Sequence, residues 1–146
     1  MKIVYVDSST IVRRYKPTDT GHAEAVALFE DDTVSLVSST LTYVEVSGAL
    51  VRAAEHLGID QAVLLGRFDE DVRNGKPRLI ASRQMDVEAI ALSVVRKHGI
   101  RALDALHIGA ARVICDDLAK PGDVFAFATG DKTQASAACA AGLATQ

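Results

Sequence analysis

Along the chain, short unbroken apolar runs alternate with longer stretches in which apolar side chains return every three or four residues. The first pattern suits strands buried in a parallel sheet and the second suits helices packed on one face, so the alternation predicts successive β and α units. Lys2-Ile3-Val4-Tyr5-Val6 reads as strand 1, followed by a helix from about Ser9 to Tyr15 that Pro17 stops. A second helix covers roughly Gly21 to Glu30, with Ala23, Val26, Ala27 and Glu30 at helical spacing, and Asp31-Asp32 ends it. Thr33 to Val37 reads as strand 2, and Ser38-Ser39 as the N-cap of a helix reaching about His56. Next come a helix from Asp60 to Arg73, closed by Asn74-Gly75, and a short strand 3 from Pro77 to Ala81. A helix from Val87 to His98 finishes in a basic turn and Gly99. The remaining elements are a helix from Leu103 to Cys115, strand 4 from Asp123 to Thr129 and a last helix from Lys132 to Ala141. No repeat, low-complexity tract or linker interrupts the series.

Length and composition agree with one α/β domain spanning 1–146. A chain of this size buries about 68–70% of its unfolded surface. Hydrophobic residues make up 49% of the chain and aromatic ones only 5% of it, which means a core of Val, Leu, Ile and Ala. Cys115 and Cys139 have no framework spacing and read as buried free thiols of a reducing compartment. The first residues lack the features of a signal peptide and no 18 apolar residues run together, so the expectation is a cytoplasmic protein with no membrane association. Sixteen basic against nineteen acidic residues give a net charge of −3, which excludes a strongly basic, non-specific nucleic-acid binder. A nuclease is not excluded, since a local patch could meet phosphate; Arg13, Arg14, Lys16, Arg52, Arg101, Arg112 and Lys132 are the candidates, against the ordinary reading of scattered surface charge.

Four acids change the picture. Asp7 closes strand 1 and Asp131 follows strand 4, and the carboxyl ends of parallel strands are where ligands bind in open α/β sheets. Glu45 has Leu41, Gly48 and Ala49 as same-face neighbours, and Asp104 has His107, Ile108 and Ala111, so both helical acids lie on apolar stripes. Each of Asp7, Asp104 and Asp131 also has a plain reading as a helix-capping or first-turn acid. Convergence weighs against that plain reading: if strands 1 and 4 are neighbours, the four carboxylates meet, and they cannot all stay ionised without a counter-charge. An all-oxygen set suits Mg²⁺ or Mn²⁺ better than Zn²⁺.

The segments VYVDSSTIV, SSTLTYVEVSGALVR, IRALDALHIGAA and VFAFATGDKT resemble the PIN-domain ribonucleases, in particular the VapC-type toxins of bacterial toxin–antitoxin pairs. The resemblance covers nearly the whole length, the stretch from about His56 to Ala81 being the least similar. It implies a three-layer α/β/α domain with a mainly parallel sheet, acting as a Mg²⁺- or Mn²⁺-dependent endoribonuclease. The family's metal-binding, catalytic acids fall on Asp7, Glu45, Asp104 and Asp131, and Ser8 and Thr129 match positions that orient the acids or the water. It further implies an RNA substrate, a homodimer, and a cognate antitoxin whose C-terminal segment covers the acidic pocket. No protein nucleophile is required, and His107 reads as a hydrogen-bonded or core histidine rather than a general base. A haloacid-dehalogenase-type phosphatase needs a second Asp where Ser9 stands, and a flavodoxin-like binding module finds no phosphate loop to support it. A PIN nuclease of RNA maturation, without an antitoxin, is the alternative that stays open.

Overall fold

The apolar run at the start of the chain becomes the centre of the sheet. In the computed structural model, which describes residues 1–146, β1 (Lys2–Val6) pairs in parallel with β2 (Val34–Ser39) on one side and with β4 (Val124–Ala128) on the other. β3 (Arg78–Ile80) continues the sheet beyond β2, and β5 (Ala144–Thr145) beyond β4, so the order is β3-β2-β1-β4-β5 with every pair parallel. A parallel sheet is covered on both faces, and alternate residues of the strands supply two cores. Ile3, Tyr5, Val37, Phe125 and Phe127 pack beneath α5 (Gln84–His98), α6 (Ala102–Leu118) and α7 (Lys132–Ala140). Val4, Val6, Leu36, Ala126 and Ala128 pack against α1 (Ser8–Tyr15), α2 (His22–Glu30), α3 (Leu41–Leu57) and α4 (Gln61–Arg73). The three-layer α/β/α expectation and the adjacency of strands 1 and 4 both hold.

The departures from the sequence reading have local causes. β2 runs two residues further than Val37, because Ser38 and Ser39 pair with Leu79 and Ile80 of β3; the residue capping α3 is therefore Thr40. Ser38 is fully buried and its hydroxyl donates to the Val6 carbonyl at 2.6 Å. α5 gains a polar first turn ahead of its apolar period, tied by the Arg83–Asp86 ion pair. α6 extends to Leu118, which packs on the core, with Arg112 and Asp116 paired along the added turn. β5 carries no strand-like composition and forms only because the chain end lies beside β4, with the Gln146 amide donating to the Phe127 carbonyl. Cys115 is half-buried, with burial raising its thiol pKa, whereas Cys139 is exposed and not buried as expected. No helix is long and apolar enough to cross a membrane.

Gly109 sets the closeness of the α5–α6 crossing. A Cβ there would stand 2.5 Å from the Val87 carbonyl oxygen, so only glycine permits the backbone approach.

Candidate active site

The chain moves from β1 through β2 to β3 in one direction and then crosses back to β4, which makes the β1–β4 pair the point where strand order reverses. Crevices at such points are the usual ligand sites of open α/β sheets. Asp7 and Thr129 each directly follow one of these two strands, and the Asp7 amide donates to the Ala128 carbonyl at 3.3 Å.

Asp7 is 3% exposed and caps α1: Oδ1 accepts the Thr10 amide at 2.8 Å, while Oδ2 accepts the hydroxyls of Ser9 at 2.7 Å and Thr129 at 3.0 Å. The plain capping reading is therefore correct for Asp7, and the hydroxyl contacts lie beyond it. Asp131 likewise caps α7, with Oδ1 accepting the Gln134 amide at 3.0 Å. Thr129 ties the two together. Its single hydroxyl proton faces Asp7 Oδ2 and Gln134 Oε1, and its oxygen accepts the Asp131 amide.

Gln134 is a site residue that the sequence reading missed. It is 2% exposed, and its Nε2 donates to the main-chain carbonyl of Asp104 at 3.3 Å, linking the β4–α7 turn to the start of α6. The signal was present: Asp131-Lys132-Thr133-Gln134 has capping-box spacing, a pattern in which the fourth side chain turns back toward the turn. Ser9 was missed as well, although it follows Asp7 by two residues.

Asp104 lies in the first turn of α6, as its capping alternative proposed, yet nothing hydrogen-bonds to its carboxylate. Partial burial raises its pKa above the ordinary aspartate value, and the charges of Asp131 and Asp7 push the same way against His107 and Arg101. Asp104, Asp131 and Asp7 thus form one electrostatically crowded group.

Glu45 belongs to a different set of contacts. The buried stripe of α3 is Thr42, Val46, Leu50, Ala53 and Ala54, so Glu45 and its neighbours Leu41, Gly48 and Ala49 stand one position off it, half-buried at the rim. Glu45 Oε2 accepts the Ser8 hydroxyl and the His107 Nε2 proton, both at 2.5 Å. Burial raises the Glu45 pKa, but the bonds from His107 and Ser8, with the His107 charge interaction, outweigh it and hold the carboxyl below its ordinary value. His107 is 2% exposed, and its Nδ1 lies 2.8 Å from the Tyr5 hydroxyl. Burial holds Tyr5 protonated well above the normal tyrosine pKa, and the His107 ring bridges the Tyr5 hydroxyl at Nδ1 and the Glu45 carboxylate at Nε2. The histidine is hydrogen-bonded and buried, as the sequence suggested.

Ser8, His107 and Glu45 are the residue types of a nucleophilic triad, but their connections are wrong for one. In a triad the carboxylate holds Nδ1 and the serine faces Nε2. Here Ser8 and Glu45 both meet Nε2, at 3.2 and 2.5 Å, and Tyr5 occupies Nδ1. The Ser8 proton points to a carboxylate and not to the imidazole.

The four acids do not form one ready-made cage, since no three acidic, histidine or cysteine side chains are grouped closely enough to hold an ion. They divide into the crowded Asp7–Asp104–Asp131 side and the balanced Glu45–His107 side. The first side fits a hard dication on chemical grounds: its donors are all oxygen, and the Asp104 carboxylate accepts no hydrogen bond while burial and the charges of Asp131 and Asp7 outweigh those of His107 and Arg101. The outer face of the site is a groove of about 580 Å³ between α1 and α3, whose walls include Ser8, Ser9 and Glu45.

Known proteins resemble the chain in sequence and in fold. The chain is 32% identical over 120 residues to Ribonuclease VapC45 of Mycobacterium tuberculosis (strain CDC 1551 / Oshkosh), covering 80% of this chain and 79% of the relative. The same identity and coverage hold for Ribonuclease VapC49 of Mycobacterium tuberculosis (strain ATCC 25618 / H37Rv). Among solved structures, the fold is similar to FitAcB from Neisseria gonorrhoeae, with TM-score 0.58 and 18% identity over 97% of this chain and 95% of that one. It is also similar to FitAB bound to an IR36 DNA fragment, with TM-score 0.62 and 20% identity over 98% and 93% of the two chains. No protein-family profile matches the chain.

Proposed function

Because this chain belongs to the VapC ribonuclease family, we propose that it is a Mg²⁺- or Mn²⁺-dependent endoribonuclease, the toxin of a toxin–antitoxin pair acting in the cytoplasm. The observation that carries the reading is Asp104: a carboxylate with no hydrogen-bond partner, crowded by Asp131 and Asp7 where the strand order reverses. Asp7, Asp104 and Asp131 would hold the ion, with Glu45 contributing from α3. When bound, such an ion activates water and neutralises charge on the scissile phosphate.

The chain's own residues supply the order of the site. Thr129 and Ser9 fix Asp7 Oδ2, and Gln134 ties the α6 backbone to the β4–α7 turn, so the three aspartates keep their spacing. His107 and Ser8 keep Glu45 ionised. Neither Ser8 nor His107 is set up to attack a phosphate, so water is the nucleophile.

Purified protein incubated with a structured RNA pool should cut internally with Mg²⁺ or Mn²⁺ and stop with EDTA, and single-stranded DNA serves as the comparison substrate. Asp104→Asn and Asp7→Asn should lose cleavage with native circular dichroism. Cleavage by either variant at the parental rate would remove that residue from the machinery. The toxin assignment, the antitoxin partner and the homodimer come from the family. Expression should arrest growth, and co-expression of a neighbouring antitoxin should relieve it; harmless expression of active enzyme would favour the RNA-maturation alternative. Size measurement in solution tests the dimer.

A further inference from the structure

Three of the seven basic candidates are already engaged: Arg14 pairs with Asp71, Lys16 with Asp19 and Arg112 with Asp116. Arg13 and Arg52 take part in no ion pair, and both line the groove between α1 and α3 that Ser8 and Glu45 also border. The one other charged wall residue, Asp19, is held by Lys16 at 3.3 Å.

Arg13 is seated by a glycine. A Cβ on Gly130 would stand 1.7 Å from Arg13 Nη1 and 2.3 Å from its Cζ, so the half-buried guanidinium lies flat against the turn between Thr129 and Asp131. Gly130 does not have the left-handed backbone that would itself call for glycine, and its missing side chain is used as room for Arg13. Arg13 also borders the hollow over the end of β4 that Thr129 and Gly130 line, beside the turn that leads to Asp131. Arg52 folds back along α3, its Nη1 3.5 Å from the Cβ position of Gly48, in the direction helical side chains take toward the N-terminus, and so toward Glu45. In a chain of net charge −3 with an acidic centre, an RNA strand is repelled unless fixed cations meet its phosphates on the way in.

We propose that Arg13 and Arg52 bind the phosphate backbone of the substrate strand along the α1–α3 groove, delivering it to the acids. The proposal rests on the ribonuclease reading and names the side chains that bind its substrate. Guanidinium groups suit this task because their planar fork matches two phosphate oxygens.

The test is fluorescence anisotropy of a labelled single-stranded RNA oligonucleotide with the full chain in EDTA, over a series of NaCl concentrations. Arg13→Ala and Arg52→Ala should each weaken binding about tenfold at low salt and flatten the slope of log affinity against log salt by about 0.7, the value for one phosphate contact on a single strand. Arg13→Lys should keep the slope and recover part of the affinity, which a folding defect would not do, and Arg112→Ala should change neither. Gly130→Ala, which keeps the charge but removes its seat, should weaken binding without loss of circular dichroism. Parental affinity and slope in both alanine variants, with the parent still cleaving RNA, would overturn the proposal alone, and so would variants that keep RNA but lose a co-expressed antitoxin. A parent that neither binds nor cleaves RNA would overturn the ribonuclease reading and this proposal with it.

Discussion

His107 and Glu45, 62 residues apart, meet through a 2.5 Å hydrogen bond in which an imidazole 2% exposed donates to a carboxylate at the rim of the site. The far nitrogen of the same ring is held by Tyr5, so a buried polar chain runs from the middle of β1 to the active-site wall. Such networks stabilise only when every member is satisfied.

His107→Phe should therefore be costly in two places. It removes the buried histidine partner of the Tyr5 hydroxyl and the main donor of Glu45, and the expected loss is about 1–3 kcal/mol. Adding Tyr5→Phe should recover part of it, since removing both partners is milder than removing one. Urea denaturation of the two single variants and the double variant measures the coupling, and additive losses would show that the chain is not a unit.

Asp104 and Glu45 should respond to pH in opposite directions. The Asp104 pKa is raised in the fold, so the folded state binds the proton more tightly; the loss of stability sets in as pH rises past the ordinary aspartate pKa and is complete above the folded one. Asp104→Asn should thus melt higher than the parent at neutral pH, with the gap closing in acid. The Glu45 pKa is depressed, so its stabilisation is present above the ordinary glutamate pKa and is lost as pH falls through the folded value. Glu45→Gln should melt lower than the parent at neutral pH and converge with it in acid. Melting temperatures at pH 7 and in steps toward pH 3 distinguish the two, and equal displacement of both variants in one direction would contradict the assignment.

Addition of Mn²⁺ or Mg²⁺ should raise the melting temperature of the parent. A ligand that binds only the folded state adds about 2.7 kcal/mol at 100 times its dissociation constant. Asp104→Asn should gain much less, because the crowded carboxylate that calls for the ion is neutral in it. Calorimetric melts in EDTA and in Mn²⁺ make the comparison, and an equal gain in both proteins would place the ion elsewhere.

Gly109→Ala should destabilise the domain without touching the chemistry. Its Cβ falls 2.5 Å from a backbone oxygen of α5, so two packed helices must separate, at a cost of about 1–3 kcal/mol. The measure is a lower urea midpoint with an unchanged denaturant slope, alongside cleavage per folded molecule close to the parental rate.

The sequence by itself determined what depends on near neighbours. A run such as Ile3 to Val6 followed by Asp7-Ser8-Ser9 marks a strand end and a helix start whatever surrounds it, because hydrophobic period and capping act within a turn. That placed Asp7 and Asp131 at strand ends, put Asp104 in a first turn, and made the α/β class legible. Tertiary structure alone decided which charges are compensated. Glu45 looked as uncompensated as Asp104 on the helical wheel, and only the packing of α6 across the sheet brought a hydrogen bond from His107 to it and left Asp104 without one. It also decided that two serines would extend β2, that two residues beside β4 would become β5, and that Arg13 would find its seat on Gly130. The energy of a carboxylate, a guanidinium or an edge strand depends on what lies across from it in space, and that follows from how the layers pack together.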